Sequence, residues 1–288
     1  MQLARGPTAD LNACPENEIV MPPTTAAPIE DAANRIAMAR IALAPLPLLP
    51  ETIRPADEAA AYAVQRKVHE RLADARYGRR IGWKIGCTTP VMQTYLGIPN
   101  PCGAGLFEGT KHRSGATIAA ADFRHVGIEC EIAVRLGRDL PARSAPYRAE
   151  EVAGAVESVM AAIELVDDRY ADWRQTDTPT LIADDFFAAG CVLGEARAIG
   201  AVPDLAELVG VTTINGVEAG RGRGADVLGH PLNALAWLAS SLSARGDGLK
   251  AGELVLTGSL VETRWLNAGD RAEIEISGLG AVRVTVSE

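Results

Sequence analysis

The sequence predicts an α+β fold in which a helical N-terminal part, residues 29–78, precedes a β-rich body, residues 79–288. Two observations carry this reading. Up to residue 75 the apolar residues recur at helical spacing within Ala-rich segments. Beyond Gly78 they come in short runs punctuated by Gly, Pro and Asp.

Residues 1–28 mix Pro, Thr, Ala and Asn without periodicity, and are expected to be a disordered tail or sequence upstream of a natural start near Met21. Segments 29–44 and 56–75 predict two helices, the second opened by Pro55. Between them stand Pro45, Pro47 and Pro50, each of which removes an N–H donor and clashes with a preceding turn, so this linker cannot continue a helix. In the body, runs 81–86, 127–136, 187–193, 209–215, 253–257, 272–276 and 281–286 have the length and character of strands. Helical patterning returns at 149–160 and at 230–245, where Pro231 sits close to an N-terminus.

Composition narrows the function. Of 288 residues 48% are hydrophobic and 23% charged, as expected of a folded globular chain. A net charge of −9, with basic residues scattered instead of forming a stripe, gives no footprint for nucleic acid. The five cysteines stand far apart with no C-x-x-C pair, so neither a disulfide framework nor a zinc site is signalled. No apolar run reaches membrane-span length, and a cytoplasmic location is expected. The Gly220-Arg221-Gly222-Arg223-Gly224 cluster lacks the spacing of a nucleotide-binding glycine loop.

The feature that carries chemistry is Ile128-Glu129-Cys130-Glu131-Ile132. Strand alternation places Glu129 and Glu131 on one face, about 7 Å apart, where two carboxylates repel unless the face is solvated or a cation lies between them. A third carboxylate, Glu164, interrupts the apolar run Met160-Ala161-Ala162-Ile163-Glu164-Leu165-Val166. Buried without a partner, it would protonate or take a cation. Three oxygen donors with no nearby His or Cys suit Mg2+ or Mn2+ better than Zn2+. Asp167 and Asp168 are alternatives to Glu164, although they begin a polar stretch of surface character.

From about Ala56 to the C-terminus the chain resembles the fumarylacetoacetate hydrolase superfamily, within it the 2-keto-4-pentenoate hydratase and 4-oxalocrotonate decarboxylase branch. The resemblance rests on ordered motifs: Gly82-Trp83-Lys84-Ile85-Gly86, Gly105-Leu106-Phe107, the Glu129 and Glu164 segments, Leu228-Gly229-His230-Pro231-Leu232-Asn233-Ala234, Trp237-Leu238-Ala239, Leu256-Thr257-Gly258-Ser259 and Asn267-Ala268-Gly269-Asp270. It implies a mixed, β-rich roll, a homo-oligomer, and a metal held by Glu129, Glu131 and Glu164. It also moves Lys84, otherwise a surface residue at a strand end, into the active site.

What the resemblance implies is a metal-dependent lyase, most closely a 2-keto-4-pentenoate hydratase of aromatic catabolism, acting on a small 2-oxo acid. The alternatives, in order, are a 4-oxalocrotonate-type decarboxylase, an acylpyruvate C–C hydrolase and a non-catalytic partner subunit. The C–C hydrolases of the superfamily use an H-x-x-E pair, and none of His69, His112, His125 and His230 is followed by Glu at that spacing. Arg223 is a candidate for the substrate's anionic end. Thr257 and Ser259 either satisfy backbone groups or bind the substrate carboxylate, and His230 reads as a cap or packing residue. Two departures stand out. Cys102 replaces the acid of the hydratases' P-D-[FY]-G motif, leaving it either a lesion in the water-handling site or a small apolar filler. Asp185 stands where several relatives carry Asn.

Overall fold

The computed structural model describes residues 26–288, so most of the expected tail lies outside the described residues, while residues 26–28 begin the first helix. In chain order the first half comprises α1 (Ala26–Ile41), α2 (Glu58–Ala73), β1 (Arg80–Gly86), α3 (Pro90–Leu96), β2 (Cys102–Phe107), β3 (Lys111–Arg113), β4 (Ala116–Ala119), β5 (Val126–Leu136) and α4 (Ala149–Ala153). The second half comprises β6 (Val156–Asp167), α5 (Thr178–Ala183), β7 (Ala188–Leu193), β8 (Arg197–Ala198), β9 (Val209–Ile214), β10 (Val217–Arg223), α6 (Pro231–Ala244), β11 (Leu254–Ser259), β12 (Arg264–Trp265), β13 (Arg271–Ile276) and β14 (Gly280–Ser287).

Two sheets result. The larger runs β2-β1-β11-β5-β6-β7-β3, with β12 paired to β5 and β8 to β6; the smaller runs β10-β9-β13-β14-β4. Within the larger sheet the long strands β5 and β6 pair antiparallel with Glu129 opposite Glu164. This is the mixed, β-rich architecture with helices mostly at the N-terminus that the sequence implies.

One expectation fails here. Segment 149–160 is a helix only as far as Ala153, and from Val156 the chain is a twelve-residue strand. Every residue of β6 after Glu157 is buried, so the strand lacks the alternation that betrays a half-exposed one, and its Ala-rich start reads as helix. The opener of α2 is Asp57, whose side chain accepts a hydrogen bond from the Ala60 N–H at 2.8 Å, in place of Pro55.

Alternation along β5 divides the interior. Ile128, Cys130, Ile132, Val134 and Leu136 enter the main core, which fills the space between the two sheets and beneath α6. Each fully buried Ile or Leu there contributes about 1.5–3 kcal/mol by leaving water. Ala133, on the opposite face, joins Met160, Ala162, Cys191, Leu193 and Leu256 in a smaller cluster. A third cluster unites α1 and α2 with α5, Cys102, Phe107 and Phe186.

Candidate metal and substrate site

At one end of β5 the face opposite the main core carries Glu129 and Glu131, and β6 brings Glu164 beside them. One carboxylate oxygen from each lies within 4.8 Å of the others. Glu131 and Glu164 are completely buried. Glu131 Oε2 accepts the Gly258 N–H at 2.8 Å, but among the described residues Glu131 Oε1 and both oxygens of Glu164 accept no hydrogen bond. Thr263 donates its hydroxyl to Glu129 Oε1. Gly258 is needed for this approach: its φ of +122° is left-handed, and a Cβ there would meet Thr88 at 2.6 Å.

Burial, then the charges of Glu164 and Glu129, raises the Glu131 carboxyl well above the ordinary range. Burial likewise pushes Glu164 up to about 7 against the opposing pull of Lys84. Carboxylates that cannot ionise comfortably together, with Glu131 Oε1 and Glu164 Oε2 unmet by any described group, form a donor set suited to a hard divalent cation.

Lys84 completes the cluster. It is 3% exposed, far from the surface position its strand-end location suggests, and its Nζ lies 3.1 Å from Glu164 Oε1. Burial disfavours the ammonium, but Glu164, Glu129 and Glu131 together hold it above the usual lysine range. Its Nζ also donates to the Phe186 carbonyl at 2.8 Å. That carbonyl is aimed by three consecutive residues in the left-handed region, Asp185, Phe186 and Phe187, with φ of 59°, 47° and 66°.

Asp185 anchors this turn. Its carboxylate accepts from Arg40 Nη1 at 2.6 Å and from the Gly105 N–H at 2.9 Å, and its Oδ1 lies 2.7 Å from His69 Nε2. A side chain at Gly105 would collide with the His69 ring at 2.8 Å. Beside it Asp184 pairs with Arg169 at 3.1 Å, making a buried group of two acids and two arginines.

The cluster opens into a cavity of about 630 Å³ that Lys84, Glu129 and Ser259 line together with Phe186, Phe187 and Val261. The other sequence candidates are placed as follows. Ser259 reaches the cavity, its hydroxyl donating to the Val261 carbonyl at 2.6 Å. Thr257 is buried and donates to the Ile132 carbonyl at 2.8 Å, the backbone-satisfying alternative of the two open to it. Arg223 is not brought to the cavity: its side chain is 58% exposed and pairs with Glu207 at 2.9 Å, because β10 lies at the edge of the smaller sheet. Asp167 is buried, contrary to its surface reading, and accepts the N–H groups of Arg124 and His125. Its carboxylate is thereby occupied away from the cluster, and Asp168 accepts the Tyr170 N–H. His230 caps α6, its Nδ1 accepting from the Leu232 N–H. Cys102 is 1% exposed within the α1–α2 cluster and its thiol faces Cys87, which with burial raises its pKa. Phe186, Gly258 and Thr263 were missed; only Gly258, inside a motif, carried any local signal.

Fold and site together define a mixed-sheet protein with a largely buried centre of three carboxylates and one lysine at the floor of a small-molecule cavity. The chain belongs to the fumarylacetoacetate hydrolase family, whose C-terminal domain model matches residues 107–287. It is 36% identical over 262 residues to a 2-keto-4-pentenoate hydratase of Paraburkholderia phymatum, covering 90% of this chain and 98% of that one. A 2-hydroxyhexa-2,4-dienoate hydratase of Comamonas testosteroni is also 36% identical, over 76% of this chain and 82% of its own. Among solved structures, 4-oxalocrotonate decarboxylase from Pseudomonas putida G7, complexed with magnesium and adipate, superposes with a TM-score of 0.83 at 27% identity, covering 90% of this chain and 97% of that one.

Proposed function

We propose that this protein is a divalent-metal-dependent hydro-lyase that hydrates a small 2-hydroxydienoic or 2-oxo acid of aromatic catabolism, as a 2-keto-4-pentenoate hydratase does. The observation that carries the reading is the unsatisfied carboxylate cluster beside Lys84 in a chain 36% identical to such hydratases over nearly its whole length. Glu129, Glu131 and Glu164 are assigned as ligands of Mg2+ or Mn2+. When bound, the ion supplies positive charge that offsets the carboxylates and favours negative charge on the substrate's 2-oxygen.

This chain's own residues do the rest. Lys84 Nζ, fixed by the Phe186 carbonyl and Glu164, presents a proton to a substrate oxygen or carbon at the cavity floor. In the metal-free cluster the surrounding acids favour its ammonium form. Phe186, Phe187 and Val261 offer apolar walls for a hydrocarbon chain, leaving the carboxyl end to the polar floor. Ser259 is assigned to the substrate carboxylate, and Thr257 to the strand that carries it. The exposure of Arg223 and its pairing with Glu207 leave no support for a substrate role within one chain.

A second reading, decarboxylation of a 4-oxalocrotonate-type acid, is favoured by the 0.83 TM-score and by Cys102 in place of the hydratase acid. Ultraviolet assays on 2-hydroxypenta-2,4-dienoate and on 4-oxalocrotonate, with and without Mg2+ or Mn2+, separate the two. Metal-dependent loss of the dienoate without CO2 release supports hydration, whereas CO2 release from the dicarboxylate supports the alternative. Inactivity on both would leave a binding or partner-subunit role. No helix among the described residues is long and apolar enough to cross a membrane. The same reading takes the protein to be a cytoplasmic homo-oligomer.

A further inference from the structure

The face of β5 that bears Glu129 and Glu131 continues through Ala133 to Arg135, at the opposite end of the same surface. Four residue steps along the strand separate Glu131 from Arg135, about 13 Å. Between them Ala133, Met160, Ala162 and Leu193 form an apolar plug. Beyond the plug lies a second depression, of about 680 Å³, with Lys111, Arg113, Arg135, Arg197 and Arg283 in its lining.

Charge in this depression is out of balance. Arg283 is paired with Glu273. Lys111, Arg113, Arg135 and Arg197, by contrast, form no ion pair with any carboxylate among the described residues. The one acid in the lining among the described residues is the exposed Glu195. Arg135 is half-buried, and its Nε is fully shielded with no hydrogen-bond partner among the described residues. Four unneutralised cations gathered in one concavity repel one another, in a chain whose net charge is −9. Guanidinium groups lining one hollow, Arg197 with its Nε already donating to the Leu279 carbonyl at 3.3 Å, can offer their remaining N–H groups to the oxygens of a phosphate, which accepts bidentate charge-assisted hydrogen bonds.

We propose that this depression is an anion site for a compact, multiply charged phosphate, separate from the reaction cavity. Four cations exceed what a monocarboxylate would neutralise. The plug keeps the site apart from the carboxylate cluster, where a phosphate would be repelled. The proposal does not depend on which reaction the other cavity catalyses.

Calorimetric titration of the full chain with inorganic pyrophosphate, free of divalent metal and at low salt, tests it. Saturable binding at one site per chain is expected, weakening as salt rises. Arg135→Gln should lower the affinity about tenfold or more, the usual scale for losing a hydrogen bond to a charged group. The exposed Arg197→Gln should lower it several-fold and tests the site independently should Arg135→Gln fail to fold. Glu131→Gln, at the other end, should leave it unchanged. Absence of binding, undiminished affinity in Arg197→Gln, or loss of binding in Glu131→Gln would overturn the assignment. So would a shift in sedimentation of Arg135→Gln without pyrophosphate binding, which would make the basic hollow a contact between subunits.

Discussion

Lys84 Nζ donates a 2.8 Å hydrogen bond to the carbonyl of Phe186, 102 residues further along the chain. The bond joins the floor of the reaction cavity to the buried network behind it. The Phe186 carbonyl points at Lys84 only because residues 185–187 are held in a left-handed turn, and that turn is held by Asp185. Non-glycine residues in this region cost of order 1–3 kcal/mol each, so the anchor must be strong.

Asp185 is therefore a point at which both stability and activity fail. Burial alone would raise its carboxyl, but the His69 ring, Arg40 and the Gly105 N–H hold it well below the usual carboxylate range. Asp185→Ala should cost about 3–5 kcal/mol, since it leaves Arg40 buried without this partner. A folded pKa below the unfolded one means the carboxylate stabilises the fold above the unfolded pKa of roughly 3.9, and that this contribution is lost as pH falls toward the folded value. Urea denaturation of wild type and Asp185→Asn should thus show a difference at about pH 5 that shrinks below about pH 4. A difference that persists unchanged at pH 3 would contradict the carboxylate's role.

For the metal assignment, Glu131→Gln is the sharpest variant, because it keeps the shape of the side chain while removing a charge that the metal-free cluster disfavours. Calorimetry should show tight Mg2+ and Mn2+ binding in the wild type and none in the variant. Saturating metal at about a hundred times Kd should stabilise only the wild type, by about 2.7 kcal/mol. In metal-free buffer the variant should melt at or above the wild-type temperature. Unchanged metal affinity would dismiss Glu131 as a ligand.

Lys84→Met should leave the fold and a measurable metal affinity in place while lowering turnover by about two orders of magnitude or more, the usual scale for a positioned proton donor. Steady-state kinetics at saturating metal provide the measurement. A wild-type kcat would place the proton transfer elsewhere.

Cys102→Asp discriminates between the two roles open to Cys102. In the structure it lies buried in the α1–α2 cluster, so a carboxylate there should cost several kcal/mol. We expect a lower melting temperature and no gain in dienoate hydration. A stable variant with faster hydration would show that an acid at this position serves the reaction.

Much of the reaction centre was legible in the sequence because its signals are local. A strand period of two places Glu129 and Glu131 on one face, and an acid within the apolar run around Glu164 needs a counter-charge wherever that run folds. The ordered motifs likewise marked Lys84. Tertiary structure alone decided that the Glu164 segment is a strand, since one buried on both faces has no alternation to read. It alone removed Arg223 to an edge and Thr257 to a backbone carbonyl. The hold on Lys84 was equally beyond the sequence: Arg40, His69 and Asp185 lie up to 145 residues apart, and no spacing rule reaches across elements that meet only when α1, α2 and the 185–187 turn close around one carboxylate.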